Sequence, residues 1–464
     1  MKKTCLLMAL CFSCTTAVLA QQAKYVFFFI GDGMGLNQVN TTEFYQASVK
    51  GNLGTEPLFF ASFPYTTFAT SNAFNTDVTD SAAAGTALAT AQKTRKGMLG
   101  MSPDSVAVSS IAEWARNSGK KVGICTTVSI DHATPAAYYA HQINRNMYNA
   151  IGHDLAESGF DYFGGADFLQ PVGKDSIDLH QYCEEKGYTW AYGYQEAKNK
   201  WKDAKKLIMV QTKEATKEHH VELPYVIDRE PNDLSLPQIV ETGINMLTKD
   251  NKKGFFFMIE GGEIDHACHA NDAATAIKEI QEMDEAVKLA YEFYKKHPKE
   301  TLIIVTADHE TGGLVPGNGS YALNLQALQY QTCSVERVTK RFENLRRSRK
   351  RIVWEDAKEI LSECYGLFTH VPVNWEEEAE LRTAFEDTFL KGAVEENWYG
   401  TNSVLATKGR DILNKKAMVS WASLEHSDGY IPIFAVGVGA DQFHGRLDNT
   451  DLPKMVAKIA GYKK

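Results

Sequence analysis

The chain is short of cysteine, lacks long apolar runs past its start, and has no surplus of positive charge. Eight cysteines occur, and Cys5, Cys11 and Cys14 fall within the first twenty residues. The other five, Cys125, Cys183, Cys268, Cys333 and Cys364, never stand at C-x-x-C spacing, which argues against a zinc ribbon or a thioredoxin-type motif. Their number is odd, so at least one is unpaired within the chain. Past residue 20 no stretch is long and apolar enough for a transmembrane helix. Lys and Arg number 49 against 58 Asp and Glu, a formal net charge of −9. Such a chain has no overall field that gathers nucleic acid. An anionic ligand would need local positive charge, from metal ions or a single arginine. Internal repeats and low-complexity tracts are absent, as is the G-x-S-x-G of an α/β-hydrolase elbow.

What is present starts with an export pattern. Lys2 and Lys3 precede an apolar stretch at 6–19, and Val18-Leu19-Ala20 offers compact residues before Gln21. Residues 1–20 read as a secretory signal peptide, which predicts a periplasmic or extracellular protein. The context upstream of Cys11 and Cys14 is poor for lipoprotein anchoring. Further on, strand-length apolar runs at 24–30, 121–128, 207–210, 254–259, 301–306 and 431–438 alternate with helical patterns. Those helical patterns lie at 36–47, 81–91, 108–117, 135–150, 236–248 and 272–296. Tyr25 to Ile30 and Phe255 to Ile259 are apolar throughout, as strands buried on both faces are. The expected fold class is α/β, with a mostly parallel central sheet and helices on both faces. Residues 21–464 are read as one domain with polar or helical insertions at about 171–230 and 316–420. The basic run at 340–351, with Arg341, Arg346, Arg347, Arg349 and Lys350, reads as a solvated helix face. A polyanion-binding role for that run is the competing reading.

Four buried-strand candidates run straight into acidic residues or histidine. Ile30 leads to Gly31-Asp32-Gly33-Met34-Gly35, and Val128 to Ser129-Ile130-Asp131-His132-Ala133-Thr134. Ile259 leads to Glu260, Glu263, Asp265, His266 and His269, and Thr306 to Asp308, His309 and Glu310. Sites in open parallel sheets form at the carboxyl ends of strands. Converging carboxylates repel one another unless cations neutralise them, and Asp, Glu and His without Cys pairs suit Zn²⁺ with some Mg²⁺. The Gly31–Gly35 turn has the wrong spacing for a dinucleotide loop, and Asp32 would repel a pyrophosphate. Ser81 precedes a run of small residues, where a hydroxyl at a helix start meets free N–H groups. A plain capping serine is the bland reading of Ser81. Asp265 and His269 are four apart and share one helical face. His426 lies before the strand candidate at 431–438, at its N-terminal side or in a loop over the sheet.

Together these motifs resemble the alkaline phosphatase family, from about Lys24 through the His426 region into the last strand. The resemblance implies phosphate monoester hydrolysis with two Zn²⁺ and one Mg²⁺. It implies that Ser81 is the nucleophile and becomes phosphorylated. Asp265, His269 and His426 would hold the first zinc. Asp32, Asp308 and His309 would hold the second. Asp32, Thr134 and Glu260 would hold the magnesium. Arg145, eleven residues after Thr134, would clamp two phosphoryl oxygens, with Asp80 orienting it. His132 and His266 stand where some members have Asp and Lys, which implies outer roles near the magnesium and the phosphate. The expected partners are small phosphate monoesters and inorganic phosphate, with no nucleic acid. A homodimer stays open, because little chain precedes the first strand after residue 20. Ser81-Ala82-Ala83-Ala84-Gly85 lacks the Pro and Arg of a sulfatase C/S-x-P-x-R motif. A phosphodiesterase or phosphonate hydrolase of the same superfamily is the alternative, against which Thr134 and Glu260 count. An exported, inactive metal-binding or adhesion protein is the non-enzymatic reading.

Overall fold

Continuous apolar runs become the centre of a ten-stranded sheet. The computed structural model describes residues 22–174, 176–213, 222–317, 319, 321–349 and 351–464. The stretch at 1–20 read as a signal peptide, and Lys350 of the basic run, lie outside the described residues. The strands are β1 (Tyr25–Gly31), β2 (Tyr65–Thr70), β3 (Lys121–Ser129), β4 (Tyr162–Ala166), β5 (Tyr188–Tyr192), β6 (Lys206–Val210), β7 (Phe255–Gly261), β8 (Thr301–Ala307), β9 (Ile431–Gly437) and β10 (Arg446–Asp448). Their order is β10-β2-β9-β8-β1-β7-β3-β4-β6-β5. β1 lies between β7 and β8 with Phe28 beside Met258 and Ile304, and all three strands are buried along their length. The sheet is parallel except for β9, which runs antiparallel to both β8 and β2. This reversal resolves the position of His426. The N-terminal end of β9 sits at the carboxyl edge of its parallel neighbours, so a residue before it reaches the same edge as Asp32 and Asp308.

Four strands escape the hydrophobic pattern. β2 is Thr-rich and half-exposed. β4 carries Gly164-Gly165, and a Cβ on Gly164 would lie 2.5 Å from Ile239 Cγ2. Close packing there replaces side-chain hydrophobicity. β5 pairs with β6 and extends one sheet edge, so part of 171–230 belongs to the sheet. β10 is only three residues long.

The helices that build the site are α1 (Leu36–Val49), α2 (Ser81–Thr90), α3 (Ala133–Ala136), α4 (Glu263–His269) and α5 (Ala273–Lys296). The helix expected at 135–150 is interrupted. α3 ends at Ala136, and helix resumes at Tyr148–Ser158. Leu99 pairs with Gln142, and Asn146 N donates to Asn144 Oδ1 at 2.9 Å, so local turns replace helical bonds. Arg145 therefore sits on a loop. Residues 316–420 are mainly helical and include α6 (Val335–Ser348). They enclose a second apolar cluster containing Val338, Phe342, Leu361 and Leu405. In the basic run, Arg341 bonds Glu363, Arg346 Nη2 donates to two carbonyls at 3.1 Å, and Arg349 pairs with Asp356. Those contacts fit a partnered, solvated helix face. Cys333 and Cys364 stand 2.9 Å apart at sulfur, while Cys125, Cys183 and Cys268 are buried. Among the described residues, no helix is long and apolar enough to cross a membrane.

Candidate active site and metal centre

Each site residue arrives by a local rule. Asp32 leaves β1 on a turn in which Gly33 has φ of +70°, and a Cβ there would lie 2.8 Å from Asp265 Oδ1. Asp80 caps α2 by accepting from Ala83 N at 3.1 Å, which sets Ser81 as the first helical residue. α2 is built of small residues and is buried throughout. Gly85 lets it approach α3, where an added Cβ would sit 3.3 Å from Thr134 Cα. α4 follows β7 after a single residue and carries Asp265 and His269 on one face.

The structure brings three donor groups together. Asp265, His269 and His426 form one, and Asp32, Asp308 and His309 a second. The third joins Asp32 and Glu260 with His132. Thr134 Oγ1 donates to Asp32 Oδ2 at 3.2 Å and so lies beside that third group. Ser81 Oγ lies 3.3 Å from His309 Nε2. Arg145 Nη1 is 3.5 Å from Asp80 Oδ2, and its Nη2 is 3.2 Å from His132 Nε2. His266 lies against Tyr399, with ring centroids 3.4 Å apart and planes tilted by 33°. Every predicted site residue thus lies in or beside one constellation at the carboxyl edge of the sheet.

Tautomers follow from these contacts. His426 Nδ1 faces the Thr79 carbonyl at 2.9 Å, and His269 Nδ1 faces the Leu424 carbonyl. A carbonyl only accepts, so each Nδ1 carries a proton, and it is the neutral form of each ring that offers a lone pair at Nε2. Those two Nε2 atoms stand 3.0 Å apart, beside Asp265. Three electron-rich donors converging on one point fit a cation. The second and third groups have the same character. Asp32 Oδ1, Asp308 Oδ2 and Glu260 Oε1 are buried without a hydrogen-bond partner. His309 Nε2 is 3.2 Å from Asp32 Oδ1 and 3.3 Å from Asp308 Oδ2. The residues present therefore fit divalent metals.

The electrostatics agree. Burial, then Asp308 and Asp265, push the Asp32 carboxyl well up. Burial raises Asp308 to about 8 and Glu260 to about 7. Against its own burial, Asp265 is held well below the usual range by His269, His426 and His309. Burial and His426 keep His309 neutral. Carboxylates gathered in this way call for compensating positive charge, as bound cations or as protons.

Three contributors were not legible in the sequence. Tyr399 donates to Asp265 Oδ2 at 2.9 Å from within 316–420, where no motif marked it. Thr311 bonds Asp265 and lies 3.2 Å from His309 Nδ1. Thr126 donates to Glu260. The two threonines lie on or just after strands that feed the site, and only that position could have hinted at them.

A mostly parallel sheet whose carboxyl edge gathers these donors around a helix-terminal serine fits the class of α/β-fold enzymes that hold metal ions at that edge. The family model described as alkaline phosphatase matches residues 23–462, and the chain belongs to that family. It is a phosphomonoesterase. Alkaline phosphatase 4 of Bacillus subtilis (strain 168) is 31% identical over 389 residues, covering 82% of this chain and 77% of the relative. A cold-active alkaline phosphatase from the psychrophile Shewanella sp. is 26% identical with a TM-score of 0.78, covering 94% of this chain and 99% of that one. A histidine-to-glutamate variant of the alkaline phosphatase from the Antarctic bacterium TAB5, solved with Mg bound in its M3 site, shares the fold. It is 24% identical with a TM-score of 0.66, covering 96% of this chain and 100% of that one.

Proposed function

We propose that this enzyme hydrolyses small phosphate monoesters through a phosphoserine at Ser81, with two Zn²⁺ and one Mg²⁺ in the three donor groups. The observation that carries the reading is the place of Ser81 Oγ, 3.3 Å from His309 Nε2 and at the positive end of a buried helix. The first zinc would lie with Asp265, His269 and His426, and the second with Asp32, Asp308 and His309. Magnesium would lie with Asp32, Thr134 and Glu260, a choice of ion supported by the Mg bound in the M3 site of the histidine-to-glutamate TAB5 variant. When bound, the metals supply Lewis-acid stabilisation of the attacking and leaving oxygens and lower the pKa of hydroxyl groups.

The chain's own residues do the rest. Ser81 Oγ gives up its proton and attacks phosphorus in line, forming the Ser81 O–P bond as the ester P–O bond breaks, and the leaving oxygen takes up a proton and departs as the alcohol. Water then loses a proton and attacks the phosphoserine, the Ser81 O–P bond breaks, Ser81 Oγ regains a proton, and inorganic phosphate departs. The Arg145 fork holds two equatorial oxygens throughout. Asp80 steadies both ends of this arrangement, capping α2 and pairing with Arg145. His266 Nε2 has no hydrogen-bond partner, which supports its reading as a donor to the phosphate. The pattern of Lys2, Lys3 and the apolar stretch at 6–19 supports action outside the cytoplasm.

The test compares an aryl phosphate with its methyl diester, alongside metal analysis of the purified holoenzyme. We expect Ser81→Ala to lower monoester turnover at least 1000-fold and to abolish covalent labelling by phosphate, with the metals retained. Faster cleavage of the diester would favour the phosphodiesterase alternative. Undiminished labelling in Ser81→Ala would end the phosphoserine assignment.

A further inference from the structure

α4 has a second working face. Asp265 and His269 point to the three-group constellation, but Glu263 and His266, three residues apart, turn toward the segment around Glu222. Glu263 Oε2 is 3.3 Å from His266 Nδ1, and Glu222 Oε2 is 3.7 Å from it. One donor atom from each of the three residues lies within 4.8 Å of the other two. Glu263 and His266 are 3% and 2% exposed. Glu263 Oε1 has no hydrogen-bond partner. Glu336, in the first turn of α6, lines the same space and accepts from Tyr225 Oη at 3.2 Å. Nearby guanidinium groups are engaged elsewhere, Arg229 by Glu282 and Arg337 by Asp228 and Glu230. The opposite side opens on a cavity of about 1340 Å³ that includes Glu222, Glu263, Glu336 and Tyr399 in its lining.

We propose that Glu222, Glu263 and His266 Nδ1 hold a fourth divalent cation, of the first-row type that accepts mixed imidazole and carboxylate donors. Two carboxylate oxygens and one imidazole nitrogen suit Zn²⁺ or Mn²⁺ better than Ca²⁺, which prefers oxygen alone. The open cavity leaves room for water at the remaining positions. A buried carboxylate oxygen with no donor then gains a partner, as does the Glu222–Glu263 pair. The site also has a consequence for the imidazole. Coordination through Nδ1 places the ring proton on Nε2, the atom that has no partner. The fourth ion would thereby fix His266 as a donor on its other edge. This last consequence rests on the reading of His266 as a phosphate contact, whereas the cation site itself does not.

The test counts metal. Wild-type holoenzyme, Glu263→Gln and Glu222→Gln are saturated separately with Zn²⁺, Mn²⁺ and Ca²⁺, freed of loose metal, and weighed by native mass spectrometry. Crystals of the Zn²⁺ form supply anomalous maps at the zinc edge. We expect one more tightly held Zn²⁺ or Mn²⁺ per chain in wild type than in either variant, with an anomalous peak between Glu222, Glu263 and His266. Aryl phosphate turnover by wild type is recorded in parallel, so an inactive wild type would count against the phosphatase reading and leave the metal count to stand alone. Equal metal counts in all three proteins, with no peak, would overturn the proposal. Occupancy by Ca²⁺ and not by Zn²⁺ would overturn the part given to the imidazole. The Glu222 side chain is only partly buried, at 34% exposure, so Glu222→Gln keeps the comparison valid if Glu263→Gln fails to fold.

Discussion

His132 shows how one side chain can serve two charged neighbours. Its Nε2 sits 3.2 Å from Arg145 Nη2, and an arginine only donates, so that nitrogen presents a lone pair. Burial, then Arg145 and His266, hold the ring well below its ordinary pKa, so it stays neutral. A neutral group beside Asp32 and Glu260 adds nothing to the negative charge available for magnesium. Replacing it by Asp adds one charge at the third donor group and offers Arg145 an anionic partner. His132→Asp is therefore expected to lower the magnesium concentration for half-activation by about tenfold, equivalent to about 1.4 kcal/mol. The same charge competes with phosphate for Arg145, so KM should rise. Titrating magnesium into metal-depleted wild type and variant measures the first effect, and an unmoved activation midpoint would rule out a charge role at this position.

Whole elements set distances that single residues cannot. α2 carries Ser81 and α3 carries Thr134, and their spacing depends on Gly85, where an added Cβ would meet Ala137 Cβ at 3.2 Å. Gly85→Ala asks the neighbours to give by tenths of an ångström, and the better helix propensity of Ala offsets much of that, by about 1 kcal/mol. Gly85→Val cannot be absorbed so easily. Overpacking of this kind costs about 1–3 kcal/mol, and moving the nucleophile by about 1 Å can cost roughly 100-fold in rate. The expected order of kcat is wild type, then Gly85→Ala, then Gly85→Val, while thermal melting of the Ala variant stays near wild type. A Val variant with full kcat would show that α2 does not set the Ser81 position. The same scale explains what the sequence disclosed. β1, β7 and β8 were legible because strands buried on both faces must be apolar throughout, and their carboxyl ends exposed Asp32, Glu260 and Asp308 to view. β4 was not, because Gly164 packs by its smallness. The break that frees Arg145 was also hidden, because side-chain bonds around Asn144 outcompete a helical pattern only in the folded context. Tyr399 reaches Asp265 from 134 residues away, a contact no local pattern encodes.

For the molecule as a whole, the cost of assembling this edge appears in its dependence on pH and metal. Without cations the fold must carry Asp32, Asp308 and Glu260 in one buried place. Asp308 is raised to about 8 and Glu260 to about 7, chiefly by burial, and Asp32 is raised well above its usual range. Unfolded, the same groups titrate near pH 4. Between those limits the folded metal-free chain binds protons that the unfolded chain has released, so its stability falls as pH rises from about 4 through about 8. Asp265 acts in the opposite sense, but its depressed value matters only below the ordinary carboxylate range. Metal binding replaces those protons and removes the penalty on the alkaline side. Chelator-treated protein should therefore melt lower than holoenzyme, and the gap should widen between pH 6 and pH 9. One kcal/mol moves Tm by roughly 2 °C in a large domain, so a widening on the order of 5 °C is expected, closing when Zn²⁺ and Mg²⁺ are returned. A metal-free protein whose Tm climbs over that interval would mean that the carboxylates are neutralised by the chain itself, and the charge balance behind all three donor groups would have to be redrawn.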